Sequence, residues 1–189
     1  MNKEIKIVFA ILILVILFVS LFYFILQQNN EQIEEPFTGP VGSFSLTIND
    51  LTGGYIRSYE NDTLQGGAFG VIERYEAGFI KNTSGFENDT NVNVISFTIS
   101  KFESITSAKT EYPQTVDAFK AINSTLLENY ENIIGDESTV FCYEEIFVVV
   151  VFRFRNILVI LVSKDFSGEL NASSLVGYAK IIEERINVS

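Results

Sequence analysis

Residues 148–162 read VVVVFRFRNILVILV. Two runs rich in β-branched residues, Phe147 to Val151 and Ile157 to Val162, flank a short interruption, and Asn156 sits where a turn would fall. The pattern predicts a β-hairpin. Both arms are apolar at successive positions, so both of their faces should be covered. Either helices pack on both sides of the sheet or one side meets a partner. Between the runs, Phe152 and Phe154 alternate with Arg153 and Arg155. With a side-chain period of two, Phe152, Phe154, Val159 and Leu161 are expected in the core and the two arginines on the opposite side. The plain reading of Arg153 and Arg155 is a solvated strand face; the sharper one is a ligand site for anions or carboxylates.

Further strands are expected on either side of the hairpin. Ser43 to Ile48 alternates, with Phe44, Leu46 and Ile48 on one face. Tyr55 to Tyr59, Val71 to Ile80, Val92 to Phe102 and Ser138 to Val151 read as strands. In the third of these, Asn93, Ile95, Phe97, Ile99 and Lys101 share one face. The period changes after Phe102. Ser104 can cap a helix, and Ile105, Ala108 and Tyr112 fall at helical spacing. Pro113 would end or restart that helix, and Val116, Phe119, Ile122, Leu126 and Tyr130 continue the stripe. A last helix is expected from Asn171 to Ile186, with Leu175, Ala179, Ile182 and Ile186 on one face. The fold class is therefore α+β: a curved antiparallel sheet with helices packed on it.

Upstream of the domain, residues 7–26 read IVFAILILVILFVSLFYFIL, uncharged throughout. A helix of this length spans roughly 30 Å, the thickness of a bilayer's hydrocarbon core. Lys3 and Lys6 precede it, whereas Glu31, Glu34 and Glu35 follow it. The positive flank predicts a cytoplasmic N-terminus, residues 1–6, and a C-terminal domain outside the cell membrane. The run is followed by Gln27-Gln28-Asn29-Asn30 rather than a small-residue cleavage site, which favours an uncleaved, single-pass signal anchor over a cleaved signal peptide. Residues 27–42, with Pro36 and Pro40, should form an extended, mobile linker, and 43–189 the extracytoplasmic domain. Six N-x-S/T sequons lie beyond the apolar run. Asn61, Asn82, Asn88, Asn123 and Asn171 are expected glycosylation sites; Asn187 is too near the C-terminus.

Composition removes several function classes. The chain has 13 basic and 24 acidic residues, and Lys3, Lys6 and Glu4 precede the apolar run, so the exported part is strongly acidic. Nucleic acid is not an expected partner. The bilayer, through residues 7–26, is one, and a protein partner is compatible with the rest. With no histidine, Ser-His-Asp and Cys-His chemistry and His-ligated zinc are excluded. A single cysteine, Cys142, cannot form an intrachain disulfide and is expected as a buried structural thiol. The oxygen-rich segment 87–93 lacks the spacing of a calcium loop. Neither Ser107 with Lys109 nor Ser163 with Lys164 has the arrangement of a Ser-Lys nucleophile. Glu183-Glu184 reads as the wet side of the last helix. No catalytic residue, metal or cofactor is expected.

The succession of strands, a helix after Phe102, "IGDES" at 134–138, the hairpin with "FRFRN" at 152–156, and a final helix with "YAKIIEERI" at 178–186 resembles membrane-tethered, exported domains of the Mog1/PsbP-like type over roughly residues 43 to 187. The resemblance implies a curved antiparallel sheet with helices on it and a binding or assembly role. It transfers no catalytic residue. The leading expectation is a membrane-anchored extracytoplasmic interaction module or accessory subunit of an envelope assembly. A pilin-like surface subunit and a carboxylate-based hydrolase are the alternatives. The first of these lacks a small residue in Met1–Lys6 for a pilin peptidase, and the second needs two facing carboxylates, one with a raised pKa.

Overall fold

A computed structural model describes residues 35–63, 70–82, 92–122, 125–127, 130, 133–143, 147–165 and 171–189. The apolar segment 7–26 and the first part of the linker lie outside these residues. Among the described residues no helix is long and apolar enough to cross a membrane.

Pro36–Ser189 form one compact unit. Seven strands, β1 (Ile56–Thr63), β2 (Val71–Asn82), β3 (Val92–Phe102), β4 (Thr125–Leu126), β5 (Glu137–Tyr143), β6 (Phe147–Phe154) and β7 (Ile157–Lys164), make one sheet in the order β1-β2-β3-β7-β6-β5-β4. Every neighbouring pair is antiparallel. Helix α1 (Ile105–Ala121) connects β3 to β4, and α2 (Ala172–Asn187) follows β7.

The two faces of the sheet bury two separate cores. On the first face, Tyr75, Ala77, Phe79, Ile95, Phe97, Ile99, Val150, Phe152, Val159 and Leu161 pack against Leu175, Ala179 and Ile182 of α2 and against Phe37, Val41, Phe44 and Leu46 of the N-terminal segment. On the second, Phe141, Val149, Val151 and Leu158 pack against Ala108, Tyr112 and Val116 of α1. The doubly apolar hairpin is thus covered by a helix on each side, the first of the two arrangements its sequence allows.

Several local expectations are corrected. Ser43 to Ile48 is not a strand. Val41–Phe44 and Ile48–Asp50 are single 3-10 turns. The Thr47 amide and hydroxyl both donate to Asp50 Oδ2 (2.6 and 2.9 Å), which closes the second turn and leaves Ile48 exposed while Phe44 and Leu46 are buried. Helix α1 starts on the Ser104 cap, whose Oγ accepts from the Ser107 amide at 3.1 Å, and it runs through Pro113. Pro113 and Lys109 lie on its exposed side, where water can serve the carbonyl that the proline leaves unpaired. The helix ends at Ala121, not near Tyr130, because Thr125 and Leu126 pair with Cys142 and Phe141 as a sheet edge. The compact unit runs from Pro36, and Phe37 and Val41 belong to its core.

Candidate functional site

The alternation in "FRFRN" is seen as expected, but the face it assigns to Arg153 is not wet. Phe152 pairs across with Val159 and Ser138, on the first face; Arg153 pairs with Leu158 and Glu137, on the second. Arg153 is only 3% exposed. Its Nε donates to Glu137 Oε2 at 2.6 Å, and one terminal nitrogen donates to Asp136 Oδ2 at 2.7 Å and to the Arg155 carbonyl at 2.8 Å. Asp136 Oδ2 also accepts from the Arg155 amide, and the Asp136 amide donates to the Arg153 carbonyl, both at 2.8 Å. The turn that delivers these carboxylates depends on Gly135. Its φ is 62°, and a Cβ there would lie 2.3 Å from the Arg153 carbonyl oxygen. The Gly135 amide donates to Glu183 Oε1 at 2.7 Å, so Glu183 is not simply on the wet side of α2. "IGDES" and "FRFRN" therefore form a structural clasp. The Arg153 guanidinium is engaged by the chain's own carboxylates.

Arg155 joins it through its backbone alone. It occupies the hairpin turn with a left-handed φ of 52°, half-buried, its guanidinium 5.3 Å from the centre of the Phe154 ring. Phe154 is only half-buried at the rim of the first core. Ser163 and Lys164 point to opposite faces of β7, which precludes a dyad. Cys142 is half-buried rather than enclosed. Glu144, Glu145 and most of segment 87–93 lie outside the described residues.

A second set of polar groups locks the N-terminal segment in place. Asn156 Oδ1 accepts from the Phe37 amide at 2.6 Å, and its Nδ2 donates to the carbonyls of Phe102 (2.8 Å) and Phe37 (3.2 Å). Lys101 and Glu73 form a buried ion pair; Lys101 Nζ also donates to the Gly39 carbonyl at 2.8 Å, and Glu73 Oε1 accepts from the Val41 amide at 2.9 Å. Arg185 of α2 holds Asp50 Oδ1 at 2.7 Å and bonds the Ser45 carbonyl. The chain thus enters the domain at the end of the sheet where β3 finishes and the β6–β7 turn lies. The signal for this lock was present in the sequence: Lys101 shares the core-facing row of β3 with Ile95, Phe97 and Ile99, and a lysine there needs an internal partner.

Helix α1 packs over β3, β6 and β7. The second face of β1 and β2 carries Ile56, Tyr59 and Asn61, all exposed, beside half-buried Glu76 and Ile80. The strand register continues one row across six strands at the end of the sheet away from the chain's entry: Ile56, Ile80, Val94, Lys164, Phe147 and Tyr143. None of the six is buried; Ile56 is 61% exposed. Lys164 Nζ lies 5.5 Å from the Phe147 ring centre, and Phe147 contacts Tyr143. Elsewhere, a small groove of about 240 Å³ runs along Ser107, Thr110, Glu111 and Gln114 of α1.

Two carboxyls and one phenol are shifted from their ordinary values. Partial burial works to raise the Asp50 carboxyl, but bonds from Thr47 and Arg185 outweigh it and hold the group below its ordinary value. Glu60 is lowered by the Tyr75 hydroxyl, which donates to it at 2.6 Å, and by Arg57. Tyr75 is raised by burial and by that bond. Both carboxyls move away from the raised pKa that a carboxylate-based hydrolase requires. Among the described residues no three Cys, Asp or Glu side chains converge to hold a metal.

Of the sequon asparagines, Asn61 is exposed on β1, Asn82 closes β2, and Asn171 is the exposed N-cap of α2, its Oδ1 accepting from the Ser174 amide at 3.0 Å. Asn88 and Asn123 lie outside the described residues.

No family model matches the sequence, and no curated protein matches it. Among solved structures, the fold is similar to the crystal structure of the extracellular domain of PknH from Mycobacterium tuberculosis. The TM-score is 0.53 at 7% sequence identity, with 82% of this chain and 99% of that chain covered. At this identity the likeness is one of fold, and it lends no support to the Mog1/PsbP-like resemblance.

Proposed function

We propose that this chain is a single-pass, membrane-anchored extracytoplasmic interaction domain. Its N-terminus lies in the cytoplasm, residues 7–26 form the anchor, and the domain binds a protein partner outside. The observation that carries the binding role is the row Ile56, Ile80, Val94, Lys164, Phe147 and Tyr143: apolar and aromatic side chains apart from Lys164, none buried, at the end of the sheet farthest from the chain's entry. Such a strip suits an apolar partner surface. The anchor reading is supported by the uncharged run and its flanking lysines. It is also supported by a structural neighbour that is, by name, an extracellular domain. The lock on Phe37–Val41 fixes the end of the linker to the sheet, so the distal row is held at a set position in the domain.

Affinity capture of the full chain from detergent-solubilised membranes tests this. A stoichiometric partner is expected with the wild type and should be lost with Ile56→Asp. That position is exposed, so the melting temperature should be unchanged. Capture of nothing, or equal capture by both forms, would contradict the assignment.

A further inference from the structure

β1 is an outer strand of the sheet, and two of its residues, Tyr59 and Asn61, lie side by side on one face. Past the bulge between Arg57 and Tyr59, the register is regular: Tyr59 opposes Gly78, Asn61 opposes Glu76 and Thr63 opposes Arg74. Tyr59 and Asn61 therefore share the second face. The Tyr59 ring lies over Gly78, where an added Cβ would meet ring atoms at 2.2 to 2.9 Å. The glycine makes room for the ring to lie down on the sheet. Tyr59 is still 48% exposed, an aromatic surface held in place and open to solvent. Two residues on, roughly 7 Å along the strand, is the exposed Asn61 of the sequon Asn61-Asp62-Thr63.

We infer that Asn61 is an N-glycan acceptor and that Tyr59 is the platform on which the first sugar rests. The donor is a lipid-phosphate-linked oligosaccharide. Asn61 Nδ2 forms the bond to the sugar's anomeric carbon, the bond from that carbon to the lipid phosphate oxygen breaks, and the amide proton leaves with the phosphate. The apolar face of a pyranose carries C–H groups that pack on an aromatic ring, and the strand spacing places the two on the same side. The carbohydrate then borders the row proposed for partner binding and covers aromatic surface that would otherwise stay in water. This rests on the outside-facing reading of the domain.

The test is expression of the full chain in yeast, followed by amidase release and mass-spectrometric mapping of each sequon, with thermal melting of the purified glycoprotein. Asn61 is expected to be occupied. Asn61→Gln should lower the melting temperature by a few degrees, and the same substitution in a Tyr59→Ala background should lower it by none. Occupancy at other sequons with Asn61 bare would overturn the acceptor while leaving the outside-facing reading intact. Occupancy at no sequon would overturn both. An equal loss of melting temperature in both backgrounds would overturn the role of Tyr59.

Discussion

Replacing Arg153 by alanine is expected to lower the unfolding free energy of the domain by about 3 kcal/mol. Arg153 is buried, and its guanidinium is the shared partner of Asp136, Glu137 and the Arg155 carbonyl. Breaking a buried ion pair by removing one partner typically costs about 3–5 kcal/mol, because the remaining charge is left without compensation. The side chains of Asp136 and Glu137 keep 22% and 40% of their surface in water, which moves the expectation to the lower end. Arg155→Ala, by contrast, removes a guanidinium that stacks on Phe154 at the turn and should cost less than about 1 kcal/mol. Urea denaturation of the domain beginning at Pro36 checks both. Arg155 proving the more costly of the two would mean that the clasp does not hold the hairpin.

The larger effect belongs to Phe152. It is fully buried against α2, opposite Val159 and Ser138. Phe152→Ala should cost about 3–5 kcal/mol through lost transfer free energy and the cavity left behind. Phe154 has the same side-chain direction but sits at the rim, so Phe154→Ala should cost roughly 1–2 kcal/mol. The same denaturation series measures the difference. Equal costs would mean that the rim position is as tightly packed as the centre.

The contrast between Phe152 and Phe154 shows what a side-chain period can and cannot convey. Alternation assigned Phe152, Arg153, Phe154, Val159 and Leu161 to the correct faces but not Arg155, which falls in the turn, and β3 ran from Val92 to Phe102 as its pattern required. Burial did not follow from alternation, because it depends on what covers a face. Helix α1 covers the second face, and the 134–138 turn supplies Asp136 and Glu137 to Arg153. That turn is distant in sequence, so a lone "FRFR" reads as wet. The N-terminal segment was misjudged for a similar reason. Pro40 and the Thr47–Asp50 bonds curl it into 3-10 turns, and only the tertiary partners Asn156, Lys101 and Arg185 draw it into the core. The helical stripe past Ile122 failed because pairing with the edge of β5 was available to Thr125 and Leu126. The exposed row from Ile56 to Tyr143 could not be read at all without strand order, since its six residues come from six strands.

We propose that the domain beginning at Pro36 faces outward from a membrane that residues 7–26 span. Labelling of intact cells with a membrane-impermeant thiol reagent tests it most directly. The probe is a cysteine placed at the exposed Glu184 of α2 in a Cys142→Ser background. Labelling of the full-length chain before lysis is expected, with the chain recovered in the membrane fraction. Labelling only after lysis, or recovery in the soluble fraction, would contradict it.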